Sequence, residues 1–188
     1  DQQIKRGEYL LTPVMTPLAL LELLRSGKVI QYQVTLPEGI TLARAVELLA
    51  QNTDLETELT GPEDARILAL VEPFQLAEGL FFPDTYHFSR GENDWQVLQR
   101  AHAAMMATLE EEWQGRAPDL PYDTAYDALI MASIIERETG LPEERGQIAG
   151  VFVRRMQKGM RLQTDPTIIY GLGSEFDGNL RRSHLADA

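Results

Sequence analysis

The longest regular pattern in the chain is helical. Between about Asn93 and Gln114, Trp95, Leu98, His102, Met105, Leu109 and Trp113 recur at spacings of three and four, the period of one face of an α-helix. The pattern predicts a long amphipathic helix with one face on a core, and it makes His102 a partly buried structural histidine. Period two also occurs. Ile30, Tyr32, Val34 and Leu36 alternate with Gln31, Gln33 and Thr35, as in a strand with one buried face. Both periods together give an α+β fold class.

The first sixty residues form a compact set of signals. A short strand is expected near Glu8 to Leu11, and Thr16-Pro17 supply an N-cap and first helical position for a helix to about Ser26-Gly27. The alternating strand follows and ends at Pro37-Glu-Gly39, after which Thr41 caps a helix to about Asn52. The order strand, helix, strand, helix is close to the β-α-α-β order of carbohydrate-binding LysM modules, except that the last helix follows the second strand. A generic α+β subdomain fits the same pattern. Gly61-Pro62 marks a turn before a short helix over Ala65 to Val71, which Pro73 ends. The expected organisation is therefore a small LysM-like α/β subdomain over 1–60 and a mainly helical domain with a few strands over 61–188.

Composition removes several function classes. The 29 acidic and 17 basic residues give a net charge of −12, which opposes binding to a phosphate backbone, so nucleic acid is not an expected partner. The chain has no cysteine, which excludes disulfides and thiolate metal sites. His87, His102 and His184 are far apart and lack metal-ligand spacing. No metal and no cofactor is expected. No run of 18 apolar residues occurs and the first residue is Asp1, so any targeting or anchoring segment is expected to lie outside these residues.

One carboxylate stands out. In the helix expected from Thr124 to about Thr139, a rotation of about 100° per residue puts Tyr122, Ala125, Leu129, Ala132 and Glu136 in one narrow arc. Glu136 is the charged group on that stripe, and desolvation there would disfavour its charged form, as suits a general acid. Glu138 lies roughly 160° away, with Asp127, Met131 and Ile134 on a mixed side expected to be solvated more easily. The bland alternative is a helix-end glutamate turned to solvent or paired with Arg137, Arg145 or Arg155. Gly140 is expected to stop this helix, and Pro142-Glu-Glu to start another through Lys158-Gly159.

Two further stretches offer groups suited to sugars. From Gly159 to Tyr170 the chain carries Gln163, Thr164, Asp165, Thr167 and Tyr170, donors and acceptors with little charge, and Pro166 stiffens the backbone after Asp165. A surface loop whose Asp165 caps a short helix fits the same residues. Upstream, Phe81, Phe82, Tyr86 and Phe88 surround His87 and a Pro83-Asp84 turn. Aromatic faces stack on sugar rings, yet such a cluster is more often a buried strand and turn.

These motifs together resemble the endolytic murein transglycosylases of bacteria, the YceG-like family. The resemblance rests on Glu78-Gly-Leu-Phe-Phe-Pro-Asp-Thr-Tyr86, Ala132-Ser-Ile-Ile-Glu-Arg-Glu138, Val151-Phe152 with Arg155, and Lys158-Gly-Met-Arg-Leu-Gln-Thr-Asp-Pro-Thr-Ile-Ile-Tyr-Gly171, with Thr35-Leu-Pro-Glu-Gly39 in the LysM-like part. It implies a lytic transglycosylase that cleaves nascent peptidoglycan strands internally and leaves 1,6-anhydro-N-acetylmuramic ends. By resemblance Glu136 is the catalytic glutamate, while Gln163, Asp165, Thr167, Tyr170, Tyr86 and Glu138 bind the substrate. The family also implies a periplasmic domain of an inner-membrane-anchored protein, with the anchor outside this chain and peptidoglycan synthases as candidate partners. Arg154 departs from the family's usual Asn, and the family continues beyond the position of Ala188 with a region that completes the domain. Two other functions are compatible with the residues: a hydrolase in which Asp165 activates water, and a non-catalytic glycan-binding or scaffold protein.

Overall fold

The computed structural model describes residues 4, 7–74, 76–181 and 184. The chain divides into two compact units, Asp1–Met106 and Ala107–Ala188.

In the first unit, helix α1 (Pro17–Ser26) begins where Thr16 Oγ1 accepts the Ala19 N–H, and it ends at Gly27 with φ 64°. Glycine suits that left-handed position because it has no Cβ to clash. Strand β1 (Tyr32–Thr35) follows, then helix α2 (Leu42–Gln51) with Thr41 as N-cap and α3 (Ala65–Leu70) with Asp64 as N-cap. Strand β2 (Thr85–Phe88) pairs antiparallel with β1, Val34 opposite Tyr86 and Tyr32 opposite Phe88. The alternation read from sequence holds, with Val34 and Leu36 buried. Helix α4 (Asp94–Gln114) then carries the long stripe, and the boundary between the units falls within it.

The sheet is where the aromatic segment goes. Phe88 and Tyr86 are buried in the core, Phe88 stacks on Tyr32 at 5.9 Å, and His102 Nδ1 donates to the Leu80 carbonyl at 2.9 Å. Phe88, Leu49, Ile67, Leu80, Leu98 and Val97 are almost wholly buried; each such side chain contributes about 1.5–3 kcal/mol by leaving water. The strand expected at Glu8 to Leu11 does not form. Glu8 accepts one backbone bond, from Ile30 N–H, while Leu10 and Leu11 stay exposed, so that segment lacks the ladder and the buried face a strand needs.

The pairing of 32–35 with 85–88 ties the first sixty residues to the segment after them. Asp94, fully buried, reinforces this: its carboxylate accepts the backbone N–H groups of Glu58 and Leu59 and its neighbour Trp95. Each buried acceptor is thereby satisfied by a donor that would otherwise be orphaned.

The second unit is helical. Helix α5 (Ala125–Glu138) opens on a reciprocal cap between Thr124 and Asp127, which satisfies two orphan donors at once. Helix α6 (Pro142–Gln157) starts after a tight corner, and α7 (Asp165–Leu172) runs into a 3-10 turn at Gly173–Glu175. The corner is pinned by Thr139, whose hydroxyl donates to Glu144 and accepts the Leu141 N–H. Thr139, in extended conformation, is the C-cap of α5. The helix expected from Thr124 to about Thr139 thus has those two residues as its caps, with Gly140 just beyond.

Candidate active site

The last turn of α5 holds both glutamates, and their surroundings differ from the expectation. Met131 is the buried residue of α5, at 4% exposure, whereas Ala132 and Ile130 are exposed. On the Glu138 side Met131 is buried, while Glu138 itself is exposed and Glu136 is partly covered. In the turn before α7, Thr164, only 2% exposed, donates its hydroxyl to Glu138 Oε2 at 2.8 Å.

Glu136 faces an open pocket instead of a closed core. Ala132, Ile135 and Glu136 of α5, with Arg145, Gly146 and Ala149 of α6, line a space of about 410 Å³. Arg145 Nη2 lies 2.9 Å from Glu136 Oε2, and the Glu136 side chain remains 29% exposed. The ion pair, offered from sequence as the bland alternative, is what forms. The Glu136 side chain is thus partly covered, with Gly146 and Ala149 on the α6 side of the pocket.

The polar residues of the other expected stretch follow from Gln163 to Tyr170. Gln163 takes a left-handed backbone, φ 55°, which costs a residue with a Cβ and therefore needs support. Arg155 provides it, donating from Nη2 to Gln163 Oε1 at 2.7 Å and from Nε to the Arg161 carbonyl at 2.8 Å. Thr164 is the N-cap of α7 and Asp165 its first residue, so Asp165 follows the cap where it was read as the cap itself. Thr167 donates back to the Thr164 carbonyl at 2.8 Å. Gln163, Asp165, Thr167 and Tyr170 are all exposed, and none of them lines the Glu136 pocket.

The structure thus links Glu136 to Arg145, Glu138 to Thr164, and Gln163 to Arg155. Tyr86 lies in the first unit, where its ring is buried and its hydroxyl donates to the Phe82 carbonyl at 2.6 Å. Burial and the nearby Asp84 carboxylate push that phenol up to about 12. Sequence reasoning named Arg145 and Arg155 as alternative partners of Glu136 and not as site residues; the structure gives Arg145 to Glu136 and Arg155 to Gln163. Their spacing along α6 carries no pattern of its own; only the partners they reach distinguish them from Arg154, whose guanidinium lies over Gly150. Among the described residues no group of three or more His, Asp or Glu side chains could hold a metal ion.

The whole chain, residues 1–188, matches the sequence model of the YceG-like family. The chain belongs to that family. It is 28% identical over 192 residues to an endolytic murein transglycosylase of Bacillus subtilis, covering 91% of this chain and 52% of that protein. An endolytic murein transglycosylase of Streptococcus pneumoniae is 28% identical over 200 residues, 90% of this chain and 36% of the relative. The chain therefore spans about half or less of these relatives. A crystal structure of a yceG-like protein from Listeria monocytogenes has the same fold, with a TM-score of 0.60 at 24% identity over 93% of this chain and 63% of that one.

Proposed function

We propose that the protein is a lytic transglycosylase that cuts peptidoglycan glycan strands internally, with Glu136 as the acid and then the base. The observation that carries this reading is the position of Glu136: a carboxylate at the end of a helix, on the wall of an open pocket, beside a guanidinium. Family membership and the names of the relatives support the substrate and the reaction class.

The chemistry needs one carboxyl group. Glycoside hydrolases usually use two, the second as nucleophile or as the base for water. Here Glu136 gives its proton to the glycosidic oxygen as the C1–O bond breaks, and then takes the proton of the same sugar's C6 hydroxyl as O6 bonds to C1. The products are a 4-hydroxyl end and a 1,6-anhydro end, and no water is consumed. Glu138, Gln163, Asp165, Thr167 and Tyr170 would bind neighbouring sugars, with Arg155 holding Gln163 in position. Tyr86 would act from the core, by fixing the Phe82 backbone. The reaction would take place in the periplasm, where a membrane anchor outside this chain and peptidoglycan synthases would bring the enzyme to new strands, and a LysM-like region over 1–60 would add glycan contacts.

Mass spectrometry of products from purified strands tests the reaction. The proposal expects internal fragments ending in 1,6-anhydro sugar. Reducing ends from water attack would replace it with the hydrolase reading, and binding without any product would leave a glycan-binding protein.

A further inference from the structure

We propose that Arg145 is an anion-binding residue of the Glu136 pocket, which takes a carboxylate carried by the glycan substrate and so releases Glu136 to the glycosidic oxygen. The proposal rests on the reading of the pocket as a glycan site. It starts from three features of Arg145.

The first is the nature of its contact. Arg145 Nη2 lies 2.9 Å from Glu136 Oε2, and the Arg145 side chain keeps 42% exposure, so part of the guanidinium stays open to a further carboxylate. The second is an idle donor. Arg145 Nε is shielded from solvent and has no hydrogen-bond partner among the described residues, so its N–H is not committed to another group of the protein. The third is room. Gly146 and Ala149 line the pocket beside it, and a Cβ added at Gly146 would meet nothing within 4 Å.

The arrangement therefore has two carboxylates competing for one cation. Glu136 holds part of Arg145. A substrate carboxylate approaching from the open side can engage the exposed part of the Arg145 guanidinium, whose side chain is 42% exposed, through two N–H bonds. Glu136 then loses its partner and is left with an oxygen directed at the sugar. In a chain of net charge −12, a cation at the pocket also offsets the general repulsion of an anionic strand. Murein offers two sources for that carboxylate, the lactyl group of the muramic sugar when it carries no peptide, and the carboxylates of the stem peptide when it does.

Binding to the full-length protein tests the proposal without relying on turnover. Dissociation constants are measured calorimetrically in a Glu136→Gln background for Glu136→Gln alone, with Arg145→Gln, and with Arg145→Lys. The ligands are peptide-bearing strands, peptide-free strands with the lactyl carboxylate exposed, and both kinds with their carboxylates methyl-esterified. Because Glu136→Gln removes the competitor, it is expected to tighten binding of carboxylate-bearing strands severalfold over wild type. Adding Arg145→Gln is expected to weaken that binding roughly ten- to a hundredfold and to change esterified strands less than about threefold. Arg145→Lys, which keeps the charge, is expected to retain part of the carboxylate preference, covering the case in which Gln disturbs the fold. Whichever strand type shows the preference identifies the source as lactyl or stem. Equal losses on free and esterified strands, or no loss on either, overturn the proposal. A wild-type protein that binds in this way and yields no anhydro product would instead count against the transglycosylase reading.

Discussion

Breaking the bond between Thr164 and Glu138 should loosen α7 by an amount the structure allows to be estimated. The Thr164 hydroxyl, 2% exposed as a residue, donates to Glu138 Oε2 at 2.8 Å. Bonds to a charged group are worth about 1.5–3 kcal/mol; Glu138 is exposed, so water competes and about 1–2 kcal/mol remains. Helix α7 has eight residues, too few to persist alone, and this bond anchors its N-terminus. Thr164→Val preserves the shape of the side chain and removes the donor. Hydrogen exchange of the amides over 165–172 should then quicken roughly five- to thirtyfold, by the relation of about 1.4 kcal/mol per tenfold. Glu138→Ala should do much the same, and the double variant little more than either, a coupling of about 1–2 kcal/mol. Coupling within the scatter of independent sites, about 0.5 kcal/mol, would refute the reasoning.

Three other outcomes are expected. Asp94→Ala removes the acceptor for the Glu58 and Leu59 amides and should destabilise the first unit by roughly 2–5 kcal/mol in denaturant melts; a change under about 1 kcal/mol would count against it. Glu78 accepts the Leu42 N–H at 2.8 Å, and burial pushes its carboxyl above the ordinary value against the opposing pull of that N–H. A raised folded value means that the native state holds the proton longer, so stability is lost as pH rises from the unfolded value through the folded one. Glu78→Gln should therefore raise the melting temperature more at pH 7 than near pH 4, and an equal or larger gain in acid would contradict this. Arg155→Ala frees Gln163 and the Arg161 carbonyl and should lower turnover about tenfold with the helical circular dichroism unchanged; full activity would remove the loop from the mechanism.

Much of the fold was legible because it is written in local chemistry. Thr16-Pro17 with Gly27, and Thr41 before Leu42, mark helix ends through side-chain oxygens and a left-handed glycine, signals that need no tertiary context. The Ile30 to Leu36 alternation worked for the same reason. Its partner strand was harder to read. Thr85–Phe88 has aromatics suited equally to a sugar or a core, and only pairing with Tyr32–Thr35 assigns Tyr86 and Phe88 to the core. The site was legible as residues and not as an arrangement. Glu136 could be singled out by helix phase, but its pairing with Arg145 depends on how α6 returns after the Thr139 corner. The support of Gln163 by Arg155 likewise joins residues that share no sequence period.

The central claim is that Glu136 does the chemistry and Glu138, two residues on in the same helical turn, does not. Glu136→Gln and Glu138→Gln in the full-length protein, compared by the rate of release of anhydro-ended fragments, separate the two. The account predicts a loss of at least about a hundredfold for Glu136→Gln and a much smaller loss for Glu138→Gln. Release near the wild-type rate from Glu136→Gln would contradict it.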